Sequence, residues 1–200
     1  MSGSGRRGVR ARLILASDRV SRGEREDRTA AGVAALLATA GVELAEVVAV
    51  PDELAALVAA LLAGCACRDL VLTSGGTGIG PRDVTPEATR AVIEREIPGL
   101  GEAMRAASLG KVPTAALSRA TAGTRGAALV VNLPGSPSGA RECLAAVLPA
   151  LLHGVRLLTG GVADCQAELG AQPHLTPAGP ATSPRRPSAG PPPAGPAARA

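Results

Sequence analysis

The sequence predicts an α/β protein: a single doubly wound, mainly parallel sheet with helices on both faces. Three observations carry this. Short aliphatic or β-branched runs alternate with helix-like segments, an order that calls for right-handed crossovers between parallel strands. Gly- or Pro-containing loops follow three of those runs, at the strand ends where such sheets place their ligands. The 200 residues are 46% hydrophobic without one Phe, Tyr or Trp, so the core is built from Ala, Val, Leu and Ile.

The elements follow in order. Residues 12–16 read as a short buried strand and 17–28 as a polar loop. Thr29 is placed to N-cap a helix through Ala40, with Gly41 as its C′ residue. Residues 42–50 are alternating and β-branched, a second strand. Pro51, Asp52 and Glu53 favour a helix start, and the helix runs to about Ala63. Its apolar run 54–63 is too short to span a membrane and is read as a buried helix. A third strand over 69–73 leads directly into Gly75-Gly76-Thr77-Gly78. Helices are expected over 86–96 and 99–109, strands over 117–121 and 127–132, and a long helix over 138–158 after Pro134-Gly135-Ser136-Pro137. Residues 1–11 are expected to form a flexible lead and 12–170 the folded domain. Nine of the 17 prolines fall in the last 28 residues, so 171–200 is expected to be a disordered Pro/Ala-rich tail.

The net charge of +4 belongs to the ends. Residues 1–12 contribute +4 and 173–200 contribute +3, which leaves −3 for 13–172. A mildly acidic domain with no aromatic stacking platform is not a nucleic-acid binder. Cys65-Ala66-Cys67 is too tight for an unstrained disulfide and unlike a zinc pair, and Cys143 and Cys165 lie far off in sequence. His153 and His174 join none of them in a ligand-like cluster. With no apolar leader at the start, the expectation is a soluble cytoplasmic protein without a membrane segment.

Candidate chemistry sits in the loops. Consecutive glycines after a buried strand let the backbone turn with positive φ and aim amides at an anion. Ser74 and Thr77 add hydroxyls, and Arg82 adds a charge. The Walker A lysine is missing, and the glycine spacing is not that of a dinucleotide fold. Asp83 is either a Mg²⁺ ligand beside phosphates or an Asx-type cap before Thr85-Pro86. Asp52 is either a helix-dipole partner or a second metal carboxylate. Asn132-Leu133-Pro134-Gly135 before the last helix forms a second candidate anion site. Ser17-Asp18 and Ser118-Arg119 are candidate rim residues, whereas Lys111, the chain's single lysine, is expected on the surface.

Together these residues resemble a known family. Thr73 through Gly78, Pro81 through Thr89, Pro98-Gly99, Ser118-Arg119 and Asn132 through Gly135 are similar, in order and spacing, to the MogA/MoaB group of molybdopterin adenylyltransferases. Ser17-Asp18, Gly23, Asp27 and Pro51-Asp52-Glu53 match its N-terminal half. The likeness covers about residues 12–160. The form of the glycine loop separates the chain from molybdenum insertases and competence-damage-type proteins of the same fold.

The resemblance implies a homotrimer that adenylylates molybdopterin with MgATP and releases pyrophosphate. It implies that Asp52 and Asp83 organise Mg²⁺ and ATP. Ser74, Gly75, Gly76, Thr77, Gly78, Asn132, Pro134 and Gly135 are then expected on nucleotide phosphates. Ser17, Asp18, Arg82, Ser108, Ser118 and Arg119 are expected on molybdopterin, and a molybdenum insertase is the expected protein partner. The alternatives are a catalytically silent pterin-binding scaffold of the same pathway and a hydrolase of another phosphorylated cofactor.

Overall fold

The structure, a computed structural model, describes residues 8–160. Most of the expected lead, the expected tail, the last ten residues of the expected domain, Cys165 and His174 lie outside the described residues.

Six strands form one sheet: β1 (Arg10–Ala16), β2 (Glu43–Val50), β3 (Leu70–Ser74), β4 (Arg95–Glu96), β5 (Ala122–Arg125) and β6 (Ala128–Leu133). Their order is β2-β1-β3-β6-β5-β4. The first four in that order are parallel, whereas β4 and β5 are antiparallel additions at the far edge. The helices are α1 (Asp18–Ser21), α2 (Ala30–Thr39), α3 (Leu54–Cys65), α4 (Thr85–Val92), α5 (Pro98–Leu109) and α6 (Pro137–Leu158), with a 3₁₀ turn at Pro113–Leu117.

Strand alternation divides the core into two layers. Leu13, Leu15, Leu72 and Val131 face α2, α5 and α6, where Val33, Leu37, Met104, Leu144 and Leu151 are buried with them. Ile14, Val71 and Val130 face α3 and α4, packing on Leu57, Leu61, Ala88 and Val92. Because both faces are covered, β1 and β3 are buried along nearly their whole length, with aliphatic runs at residues 13–16 and 70–72. The parallel arrangement brings the carboxyl ends of β1, β2, β3 and β6 to one edge, and the polar loops converge there.

Several expectations shift. Thr29 makes no side-chain cap. Asp27 caps α2 instead, its two carboxylate oxygens accepting from Thr29 N at 2.8 Å and Ala30 N at 2.9 Å. Gly41 does close that helix, at φ +71°, with Val42 N bonded back to Leu37 O at 3.0 Å. The helix expected over 86–96 stops at Val92, and Arg95–Glu96 pairs with β5 instead. Residues 117–121 are no strand. A 3₁₀ turn ends at Leu117, an extended connection follows, and the strand begins at Ala122. The α3 helix buries only one face, leaving Leu54 and Leu62 half-exposed. Among the described residues no helix is long and apolar enough to cross a membrane.

Candidate functional site

Two loops close on each other at the sheet's carboxyl edge. Gly75 has φ +108°, and a Cβ there would stand 2.3 Å from the carbonyl oxygen of Ala16 at the end of β1. Gly76 follows at φ +61°. Any larger residue at these two positions would drive the loop off the sheet. The loop after β6 is fastened to this turn: Gly75 N donates to Leu133 O at 3.2 Å and Ser74 Oγ to Pro134 O at 2.9 Å.

Beside the glycines lies a carboxylate cluster. Asp18 and Asp52 exchange bonds: the Asp18 amide donates to Asp52 Oδ2 and the Asp52 amide to Asp18 Oδ1, each at 3.0 Å. This reciprocity, and not a helix cap, sets the position of Asp52, because α3 begins at Leu54 behind Glu53. Arg82 reaches across from the glycine loop to Asp18 at 2.5 Å. Asp83 accepts from Gly80 N at 2.8 Å, which folds the end of the loop onto itself. Burial pushes the Asp52 carboxyl up, and the charges of Asp18 and Asp83 push the same way. Asp18 is held low, first by the Asp52 amide and then by Arg82.

Two cavities of about 260 Å³ each flank the glycine loop. One, the carboxylate cleft, is lined by Ser17, Asp52, Ser74, Gly75, Gly76, Arg82, Asp83 and Gly135, with residues 25–29 as its outer wall. The other is lined by the hydroxyls of Ser108, Ser118, Ser136 and Ser138, by Thr77 and Gly78, and by aliphatic Met104, Val112 and Leu117. Pro134 belongs to this second wall.

The structure therefore regroups the expected residues. Ser17, Asp18 and Arg82 gather with Asp52 and Asp83, apart from Ser108 and Ser118. Asn132 reaches neither cavity. It is fully buried, donating from Nδ2 to Thr73 Oγ1 at 3.0 Å and Thr89 Oγ1 at 2.8 Å, and accepting at Oδ1 from Thr121 N. Arg119 lies behind the glycine loop, bonded to its carbonyls. Lys111 pairs with Glu142. Arg105 and Ser136 were missed. Arg105 stands three residues before Ser108, so the two share a helix face. Ser136 caps α6 through Gly139 N, a role its place after Pro134-Gly135 signals.

Known proteins resemble this chain in sequence and in fold. A family model described as a probable molybdopterin binding domain matches residues 12–153. A protein named molybdopterin adenylyltransferase from Helicobacter pylori (strain J99) is 44% identical over 153 residues, covering 74% of this chain and 86% of that relative. One of the same name from Escherichia coli (strain K12) is 43% identical over 160 residues, covering 74% and 80%. Among solved structures, the molybdopterin biosynthesis enzyme MoaB from Thermus thermophilus superposes with TM-score 0.72 at 49% identity, covering 76% of this chain and 97% of that one. The Mog protein from Mycobacterium ulcerans superposes with TM-score 0.71 at 41% identity, covering 75% and 99%. With the family model spanning the sheet and both glycine-containing loops, the chain belongs to the probable molybdopterin binding domain family.

Proposed function

We propose that this protein is a molybdopterin adenylyltransferase of molybdenum cofactor biosynthesis, transferring AMP from ATP to molybdopterin. The observation that carries this reading is the pair of cavities meeting across one glycine loop, in a chain whose relatives bear that name. The carboxylate cleft takes the nucleotide, and the serine-lined cavity takes the pterin. In the reaction a phosphate oxygen of molybdopterin forms a bond to the α-phosphorus of ATP. The bond from that phosphorus to its bridging oxygen breaks, and pyrophosphate leaves with the electron pair.

The protein's part is to position and to neutralise. Gly76 lines the carboxylate cleft while Thr77 and Gly78 line the other cavity. Among the described residues nothing accepts from the amides of 76–79, which leaves this stretch between the two cavities open to the phosphates of ATP. Arg82 stands at the cleft with its guanidinium on Asp18. Ser108 and Ser118 offer hydroxyls to the pterin side, against the aliphatic wall of Met104, Val112 and Leu117. With no aromatic residue in the chain, both ring systems rest on aliphatic side chains and backbone.

Mg²⁺ fits the cleft. Asp52 Oδ1 and Asp83 Oδ1 accept no hydrogen bond from any described residue, and both are hard oxygen donors. Among the described residues no group of three His, Cys, Asp or Glu is arranged to hold a metal ion by itself. Two carboxylates suit an ion held jointly with substrate phosphates and water rather than in a protein cage. When bound, Mg²⁺ supplies charge stabilisation to the departing pyrophosphate. The same reading includes a homotrimer, a cytoplasmic setting, a domain extending over 12–170 and a molybdenum insertase as recipient of the product.

The test is direct. The full chain incubated with molybdopterin, ATP and Mg²⁺ yields an AMP adduct of molybdopterin by mass spectrometry, with equimolar pyrophosphate. A mixture that binds molybdopterin but forms no adduct assigns the chain to the silent pterin-binding scaffold instead.

A further inference from the structure

Arg119 is committed to the glycine loop. Its backbone N–H donates to Thr77 O at 2.9 Å, and its Nε donates to Gly78 O at 2.6 Å. One terminal nitrogen donates to Asp83 O, and the other pairs with Glu87 in the first turn of α4. Three loop carbonyls, separated by up to six residues, thus converge on one residue. In a planar trans peptide the C=O of one residue and the N–H of the next point in opposite directions. Pulling the carbonyls of Thr77 and Gly78 onto Arg119 therefore turns the N–H groups of Gly78 and Ile79 away from it. Those are two of the four consecutive amides that donate to no described residue. The planar fork of a guanidinium spans several acceptors in a fixed geometry, which a lysine ammonium does not reproduce.

We propose that Arg119 is a positioning residue that sets the amide nest of the glycine loop, acting on the nucleotide phosphates through the backbone and not by touching molybdopterin. The inference rests on the proposed role of the loop as the phosphate-binding element. It assigns to the sequence pair Ser118-Arg119 two opposite duties. Ser118 lines the pterin cavity, while Arg119 braces the loop from behind.

The experiment uses full-length Arg119→Ala and Arg119→Lys, with two readouts that need no turnover. In hydrogen exchange, the amides of Gly80, Asp83 and Thr85, bonded within the loop at 2.8, 3.0 and 3.1 Å, exchange at least tenfold faster in both variants. By calorimetry, inorganic tripolyphosphate binds at least tenfold more weakly, while molybdopterin affinity stays within twofold. Added methylguanidinium restores tripolyphosphate binding to Arg119→Ala. Where Arg119→Ala does not fold, Arg119→Lys carries the same criteria. Unchanged loop exchange overturns the proposal. Weakened molybdopterin binding with tripolyphosphate binding intact also overturns it, by making Arg119 a pterin contact. A wild-type protein that binds tripolyphosphate yet forms no adduct fails the adenylylation reading and leaves the positioning role standing.

Discussion

Asn132→Ala separates a phosphate ligand from a structural hub. The side chain is fully buried and ties together three elements: Thr73 in β3, Thr89 in α4 and the connection at Thr121. Removing it deletes two donated hydrogen bonds and one accepted one, each contributing about 0.5–1.5 kcal/mol. Thr73 and Thr89 are themselves fully buried, so their hydroxyls have no route to bulk water for replacement partners. The expected loss is about 2–4 kcal/mol, which for a domain of this size lowers Tm by roughly 10 °C. Without Trp or Tyr the unfolding is followed by far-UV circular dichroism, not intrinsic fluorescence. At temperatures where the variant is folded, its KM for ATP stays within about threefold of wild type. A Tm shift of less than about 2 °C refutes the structural role of Asn132. Collapse of ATP binding with Tm unchanged refutes it equally, because the amide would then be reaching the nucleotide.

Three further outcomes follow from the geometry. Asp83→Asn keeps an oxygen to accept from Gly80 N, so it retains Tm within about 3 °C while adduct formation falls at least 100-fold; Asp52→Asn gives the same loss, and raising Mg²⁺ tenfold restores neither fully. Gly75→Ala puts a Cβ 2.3 Å from Ala16 O at φ +108°, so the variant melts well below wild type or fails to accumulate, by circular dichroism and yield. Burial pushes the Cys143 thiol up, and it bonds with Ser108 inside the pterin cavity. Site-resolved alkylation at about pH 7.5 therefore labels exposed Cys67 at least tenfold faster than Cys143, and molybdopterin slows Cys143 further without changing Cys67.

Fold class and the loops that line the candidate site were legible in the chain alone. Strands covered on both faces, such as β1 and β3, read as parallel core strands from their unbroken aliphatic runs at residues 13–16 and 70–72. Glycines after a buried strand announced a loop whose backbone must turn at positive φ, and Gly75 and Gly76 do so. Local signals also placed Gly41 correctly, since a helix end is settled within a few residues. Where partners are distant in sequence, only packing could choose between readings. Asp52 reads from the sequence as a dipole partner or a ligand, and its tie to the amide of Asp18, 34 residues away, exists only in the folded chain. Asn132 ends the strand expected over 127–132 and was expected on nucleotide phosphates, yet β6 runs one residue further and the Asn132 amide is drawn into the core by two threonines. Ser118 and Arg119 are neighbours in the chain, but the extended backbone between the 3₁₀ turn and β5 sends one into a cavity and the other behind the glycine loop. Composition and periodicity report which surfaces are buried; the folded chain alone pairs each polar atom with its partner, because hydrogen bonds are satisfied by position in space and not by order along the sequence.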